Sequence, residues 1–302
     1  FKTDYKYEVS PMKNVTFGVV LPQSVFSYTI VRNVALLCEE LGYDSIWLND
    51  HFYEGWLPPE EHTRPYLDCW TLLPALAVET NTIRLGSLVT SNTFRYPSLL
   101  AKMATTLDII SGGRLDFGIG AGDLPMEHYT YGIPYPSDKE RISRLREALQ
   151  VIIRMWTEEK PYFIGKFYEI REPPCFPKPI QKPHPPIWIG SITGRRRIIR
   201  LAAEFANNFN VLNGSPESYA EKMRVLDEYC EKIGRKPDDI RRSWHGFIDI
   251  AIKKDDRLLE NTIHYLKAMM KAGVQDFILG FSDRTDTEAL RIFAEQVISA
   301  LK

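Results

Sequence analysis

The sequence carries almost no net charge: 38 Lys and Arg stand against 39 Asp and Glu, leaving −1 at pH 7. That removes the basic footprint of a dedicated nucleic-acid binder and leaves a small molecule as the default partner. Cysteine is scarce, and Cys38, Cys69, Cys175 and Cys230 are widely spaced with no C-x-x-C pair. Disulfide frameworks and thiolate metal sites use close pairs, so all four are expected to be reduced core residues. Histidine is equally unclustered, with no H-x-H or H-E-x-x-H among His51, His62, His128, His184, His245 and His264, so no metal site is expected. A G-x-S-x-G nucleophile elbow is missing as well. No apolar run approaches the roughly 20 residues that span a bilayer, and residues 1–11 hold no apolar signal region. A cytoplasmic protein with no membrane partner is the expectation.

What is present alternates. Strand-like runs lie at residues 15–21, 45–48, 83–89, 115–119, 187–189, 207–212, 247–252 and 277–281. Each is followed by apolar residues at helical spacing, such as Val34, Leu37, Cys38 and Leu41, or Ile142, Leu145, Leu149, Ile152 and Trp156. A doubly wound open sheet shares this alternation, but a count of eight favours a (β/α)8 TIM barrel. The pattern breaks between helix 4 and strand 5, where eight prolines from Pro161 to Pro186 surround the hairpin-like YFIGKFYEI. Residues 159–186 therefore read as an insertion, residues 1–12 as an N-terminal arm, and 13–302 as a single barrel domain.

In such a barrel the functional groups gather where strands end. Strand 2 runs into Asn49-Asp50-His51-Phe52, and an imidazole beside a carboxylate can exchange a proton near neutral pH; a loop His next to an N-cap Asp is the plainer alternative. Strand 3 runs into Leu88-Val89-Thr90-Ser91-Asn92, where Asn92 could donate to a heterocycle carbonyl. Strand 4 ends in Gly118-Ile119-Gly120-Ala121-Gly122-Asp123, whose missing side chains would let a flat ligand approach the backbone. Strand 5 ends in Gly190-Ser191-Ile192-Thr193-Gly194 before Arg195, Arg196 and Arg197. Amides, hydroxyls and a helix N-terminus suit a phosphate there, although a solvated basic helix start accounts for the arginines equally well. Glu127 could position or protonate a substrate, or pair with an Arg. Tyr53, Trp56, Phe94 and Tyr96 are loop aromatics able to wall a pocket for a flat ring.

Taken in order, several stretches carry a resemblance: Asp50-His51-Phe52, GSLVTSNTFRYP at 86–97, Leu99-Leu100-Ala101-Lys102-Met103, Ser111-Gly112-Gly113-Arg114-Leu115, the glycine run 118–122, Tyr131-Gly132-Ile133-Pro134, HPPIWIG at 184–190 and Arg200-Leu201-Ala202-Ala203-Glu204. With them the chain resembles the luciferase-like monooxygenase superfamily over residues 13–300, within its branch of coenzyme F420-dependent oxidoreductases. The resemblance implies a barrel with an insertion after helix 4, a homodimer, and F420 at the C-terminal mouth, with FMN as the alternative cofactor. It implies a cis peptide at Leu88-Val89 that backs the cofactor ring, with Thr90 and Asn92 beside it. Asp50 and His51 match positions at the redox-active face. Gly120, Ala121, Gly122, Gly190, Ser191, Thr193 and Gly194 match loops around the cofactor side chain and phosphate. Asp123 departs from the Trp more frequent in this branch, while some F420-dependent relatives carry a proton-donating Glu there. Asp123 is accordingly a candidate acid and Glu127 the closer match. The implied reaction is hydride transfer between the deazaflavin and a small organic substrate; an FMN-dependent monooxygenase and a non-catalytic flavin-binding relative are the alternatives.

Overall fold

The computed structural model describes residues 15–55, 57–192 and 196–301. The arm expected at 1–12 lies outside these residues, as do Trp56, Thr193, Gly194 and Arg195. The strands are β1 (Thr16–Val20), β2 (Ser45–Leu48), β3 (Arg84–Ser87), β4 (Thr90–Ser91), β5 (Leu115–Gly120), β6 (Tyr162–Ile164), β7 (Glu169–Arg171), β8 (Ile187–Ser191), β9 (Asn208–Leu212), β10 (Arg241–Ile248) and β11 (Asp276–Phe281). β6 and β7 form an antiparallel hairpin of their own. The others run parallel in the order β3-β2-β1-β11-β10-β9-β8-β5, and pairing of β3 with β5 closes the ring, with β4 as a short continuation of β3. The result is an eight-stranded (β/α)8 barrel.

Helices α1 (Tyr28–Glu40), α2 (Cys69–Glu79), α3 (Pro97–Ile110), α4 (Pro125–Thr130), α5 (Asp138–Thr157), α6 (Arg196–Phe205), α7 (Pro216–Lys232), α8 (Asp256–Lys271) and α9 (Thr287–Ile292) follow the strands. Six of them start on a side-chain cap: Ser27, Asp68, Ser137, Ser215, Asp255 and Asp286 each accept from a backbone N–H two or three residues on.

Strand alternation sorts the barrel residues into two cores. Phe17, Val19, Ile46, Leu85, Phe117, Ile189, Phe209 and Phe277 join the helices in the large core, which also holds all four cysteines, buried and unpaired. Val20, Trp47, Leu88, Trp188 and Ile278 make a separate cluster inside the barrel. Trp47 and Trp188 meet edge to face there at 4.6 Å. Room for Trp47 comes from Gly18 and Gly86, where an added Cβ would stand 2.5 Å from the indole Nε1 and 2.2 Å from Cζ3. At the N-terminal end of the strands the interior turns polar: Arg84 clasps Asp116 at 2.8 and 2.9 Å, and Asp276 accepts from Thr16 at 2.6 Å and Asn208 at 3.2 Å.

Strand 7 requires a correction. It spans Arg241–Ile248 instead of 247–252, and Ile250–Lys253 is a 3-10 turn whose first amides are capped by Asp249. The inward positions are Arg241, Ser243 and His245, so the strand has no apolar run to reveal it; its buried apolar residues, Trp244 and Ile248, face the helices.

The β6–β7 hairpin stands between α5 and β8 and hangs on one carboxylate. Glu147 of α5 accepts from the amides of Lys166, Phe167 and Tyr168 at 2.9, 2.7 and 3.1 Å. Asp108 of α3 does the same for the proline-rich segment that follows, through Ile180 at 2.7 Å and Gln181 at 3.1 Å. Hydrogen bonds to a charged acceptor are worth about 1.5–3 kcal/mol each, so Glu147→Ala should raise amide exchange at residues 166–168 by more than tenfold while the barrel strands keep their protection. Hydrogen-exchange mass spectrometry checks this, and unchanged exchange in the hairpin contradicts it.

Candidate active site

A cavity of about 400 Å³ opens at the C-terminal ends of the strands. Its floor is the joint between β3 and β4, where the Leu88–Val89 peptide is cis. Val89 lies against β5 and, beyond it, β8. An added Cβ on Gly120 of β5 would stand 2.8 Å from its Cγ2, and one on Gly190 of β8 would stand 2.8 Å from its Cγ1. At Gly118 the added carbon would meet the Ser87 carbonyl oxygen at 1.8 Å. These three glycines therefore seat the joint itself, and Leu88 and Val89 line the cavity. A donor chain fixes both sides of the joint: the Trp70 indole donates to Thr90 at 3.1 Å, Thr90 to Ser87 at 2.8 Å, and Ser87 to the Gly118 carbonyl at 2.8 Å. Thr90 lines the cavity, yet its hydroxyl is engaged in this lock.

Asp50 and His51 follow β2 at one wall. Asp50 is 2% exposed and accepts from Arg95 Nη1 at 2.7 Å and from the Ser91 amide at 3.0 Å, tying β2 to the β4 loop. Burial holds its pKa above the ordinary carboxylate range despite the Arg95 guanidinium. His51 Nδ1 stands 2.9 Å from Glu127 Oε2, and the other carboxylate oxygen accepts from the Phe52 amide at 2.5 Å. Burial works against a charged His51 ring, but Glu127 foremost, with Asp123 and Asp50, outweighs it and raises the pKa. Since a carboxylate can only accept, Nδ1 carries a proton, and Nε2 is the ring nitrogen that gains or loses one when the imidazole titrates.

The far wall is the β5 loop. Ala121, Gly122 and Asp123 line the cavity. Gly122 has a φ of +86°, and an added Cβ would press on Thr93 Oγ1 at 2.7 Å and Ser91 Oγ at 2.9 Å. Those hydroxyls belong to a second lock. His128 is fully buried, with Nδ1 3.1 Å from the Leu124 carbonyl and Nε2 2.6 Å from Thr93 Oγ1, which is 2.7 Å from Ser91 Oγ. The carbonyl demands a donor, so Nδ1 holds a proton, and Nε2, Thr93 and Ser91 complete a hydrogen-bonded chain across the loop.

Several expectations shift. Glu127 does not line the cavity: it is 1% exposed and stands behind His51. Asp123 is the carboxyl of this loop that does line it. Asn92 is turned away, with Nδ2 3.4 Å from the Tyr168 hydroxyl of the hairpin, because its own amide bonds the Gly120 carbonyl and leaves the side chain outside the strand ends. Gly190 and Ser191 line the cavity, as does Ile192. Thr193 and Gly194 lie outside the described residues. Arg196 and Arg197 are exposed at the start of α6. The guanidinium at the rim is instead Arg141 of α5, 7% exposed, donating to the Pro136 carbonyl at 2.6 Å and Asp138 at 2.8 Å and stacked 3.9 Å from Tyr135. Phe94 stacks on Phe52 at 4.4 Å, buttressing the His51 loop.

Sequence reasoning missed Asn210, Leu212 and His245, all of which line the cavity from β9 and β10. His245 stands alone chemically: burial foremost, then Arg284, pushes its pKa down to about 3, and its Nε2 has no hydrogen-bond partner among the described residues. Reading residues 241–248 at period two would have put His245 inside the barrel.

An apolar shelf, a carboxylate-backed imidazole and an acid on the opposite wall make this an enzyme-type barrel built for a flat ligand and proton exchange. The chain belongs to the family described as luciferase-like monooxygenase, whose sequence profile matches residues 14–296. An F420-dependent glucose-6-phosphate dehydrogenase of Microbacterium testaceum (strain StLB037) is 32% identical over 247 residues, covering 79% of this chain and 71% of the relative. The enzyme of the same name from Kineococcus radiotolerans (strain ATCC BAA-149 / DSM 14245 / SRS30216) is 31% identical, covering 82% and 72%. Among solved structures, an F420-dependent secondary alcohol dehydrogenase in complex with an F420-acetone adduct shares the fold at a TM-score of 0.81 and 19% identity, covering 96% of this chain and 100% of that one. A long-chain alkane monooxygenase also superposes at 0.81 with 16% identity, covering 96% and 91%.

Because the folded His51 pKa lies above the unfolded value of about 6.5, its pairing with Glu127 stabilises fully below that value and fades as pH rises through the folded pKa. Glu127→Gln leaves burial as the largest influence, so the His51 titration followed by NMR should move to lower pH. An unmoved titration would show that Glu127 does not control the ring.

Proposed function

We propose that this protein is an F420-dependent oxidoreductase that exchanges a hydride between the deazaflavin and an alcohol or carbonyl carbon of a small organic substrate. The observation that carries the reading is the Leu88–Val89 shelf facing a His51 whose Nδ1 is held by a buried carboxylate. The residues fit the cofactor: the shelf is apolar, Ala121 and Gly122 line the wall beside it with little side chain, and the Arg141 guanidinium stands at the rim for an anionic tail. The names of the relatives support the same choice.

When bound, the deazaflavin supplies a ring carbon that accepts or returns a hydride. The chain supplies everything else. Leu88 and Val89 would support one face of the ring. Gly120, Ala121, Gly122, Gly190 and Ser191 line the cavity and would hold the cofactor's side chain and phosphate; Thr193 and Gly194, expected to join them, lie outside the described residues. Asp50 fixes the loop that aims His51, and its buried carboxyl stays committed to Arg95. His51 Nε2 takes the hydroxyl proton of an alcohol substrate, or returns it to a carbonyl oxygen, while Glu127 keeps the ring in the required tautomer. Glu127 is thus a positioning residue, and Asp123 on the opposite wall is the second acid.

The chain reads as one barrel domain and as a homodimer. Val78 on α2 and Leu99 and Ile110 on α3 expose 72%, 56% and 42% of their surface, an apolar face that a second copy would cover. Multi-angle light scattering should give twice the chain mass, and a monomer at micromolar concentration contradicts this.

Equilibrium titration with F420 and with FMN tests the cofactor. F420 should bind at least tenfold more tightly; tight FMN binding without F420 binding would overturn the assignment. With F420 bound, His51→Ala should slow single-turnover hydride transfer by about 10²–10⁴-fold, the range of general acid–base catalysis, whereas an unchanged rate removes His51 from the reaction.

A further inference from the structure

His128 is fully buried in α4, with the rings of Phe94 at 4.9 Å and Tyr135 at 4.6 Å. Its Nδ1 stands 3.1 Å from the Leu124 carbonyl, and Leu124 is held at a φ of +47°, a left-handed conformation that residues other than glycine rarely adopt unless their surroundings fix it. A carbonyl only accepts, so Nδ1 keeps its proton in either charge state of the ring, and Nε2 is the nitrogen that gains or loses one. Nε2 lies 2.6 Å from Thr93 Oγ1, which lies 2.7 Å from Ser91 Oγ. The row ends at the cavity, because Ser91 lines it, two residues beyond Val89. Gly122 lines it too, and a Cβ added there would stand 2.7 Å from Thr93 Oγ1 and 2.9 Å from Ser91 Oγ. Glycine at 122 leaves both hydroxyls their places.

The charged groups around the imidazole are committed to other partners or face the cavity. Glu127, beside it in α4, is held by His51 and the Phe52 amide; Arg141 of α5, stacked on Tyr135, pairs with Asp138; Arg95 of the β4 loop pairs with Asp50. Asp123 of the β5 loop lines the cavity. A Ser or Thr hydroxyl donates once and accepts twice, so the row has two orientations. With Nε2 bare, Ser91 donates to Thr93 and Thr93 to His128. With Nε2 protonated, His128 donates to Thr93, Thr93 to Ser91, and Ser91 has its proton to give to a ligand.

We propose that His128 is a further proton source and sink for hydride exchange, acting on the cavity through Thr93 and Ser91. The proposal rests on the hydride-exchange reading of that cavity. Oxidation of an alcohol breaks its C–H bond, the electron pair leaving with the hydrogen, while the hydroxyl proton goes to His51 Nε2. Each hydride delivered adds one negative charge to the molecule that receives it. Ser91 supplies the compensating proton from its hydroxyl and takes one from Thr93, and Thr93 takes one from His128 Nε2. The imidazolium ends neutral and both hydroxyls are restored. Reduction of a carbonyl runs the relay backward. Ser91 is the residue that meets the ligand, and Thr93 and His128 act through it.

The test follows the His128 ring by NMR in the full protein, saturated with oxidised F420 or, without oxygen, with chemically reduced F420. A negatively charged acceptor against Ser91 favours the orientation that needs a proton on Nε2. His128 should therefore hold that proton at least tenfold more tightly with reduced than with oxidised F420, a rise of about one pH unit in its titration. Thr93→Val keeps the shape of the side chain without its hydroxyl and should abolish the rise, and Thr93→Ser should restore it, which a merely structural role for residue 93 does not require. The same titration in both wild-type complexes, a rise that survives Thr93→Val undiminished, or no recovery in Thr93→Ser would each overturn the relay. A Thr93→Val protein that no longer binds F420 would make the hydroxyls a scaffold only, and overturns it too. Failure of F420 to bind the wild type overturns the cofactor reading and the relay together, whereas bound F420 with an unmoved His128 overturns the relay alone.

Discussion

Val89 occupies the space that two Cβ atoms would otherwise fill. With glycine at positions 120 and 190, the side chain nests against β5 and, beyond it, β8 at the point where β3 breaks off and β4 begins. Everything at the mouth of the barrel is arranged around this seat. The Trp70–Thr90–Ser87 donor chain holds the joint from the helix side, while Asp50 holds it from β2 by accepting from the Ser91 amide. A larger residue at 118, 120 or 190 would push the shelf into the cavity or out of the barrel wall. The glycines are therefore a constraint of packing first, and they serve the ligand through the shelf they create.

Around the shelf the charges are buried but paired, which keeps their cost low and their positions fixed. Arg95 neutralises Asp50, and Glu127 is matched by His51 and the Phe52 amide. The His128–Thr93–Ser91 chain ties the loop that carries Asp123 to the β4 loop. Asp50 and His51 thus stand on a loop held at both ends, whereas His245 Nε2 on β10 has no hydrogen-bond partner among the described residues.

Much of this was legible in the sequence, for physical reasons. Outward barrel positions must be apolar to meet the helices, so most strands stood out as runs of Val, Ile, Leu and Phe, and strand ends could be read as site loops. The family motifs located Asp50, His51, Leu88 and Val89 directly. β10 was displaced because its inward face is Arg241, Ser243 and His245, and a search for apolar runs cannot see a strand whose polar side faces the barrel interior. His245 was lost with it. Glu127 and Asp123 exchanged roles because sequence spacing does not tell which carboxyl of a short loop points inward; α4 turns Glu127 behind His51 and leaves Asp123 at the cavity. The arginines at 195–197 drew attention by clustering, whereas Arg141 was hidden among the polar residues of an amphipathic helix.

The central claim is that the Leu88–Val89 shelf is the seat of a deazaflavin ring. A crystal structure of the protein with F420 bound measures this directly. The ring should lie in van der Waals contact with Leu88 and Val89, with His51 Nε2 at its edge. A ring bound elsewhere in the barrel mouth, or a shelf covered by a protein side chain in the complex, would contradict the account.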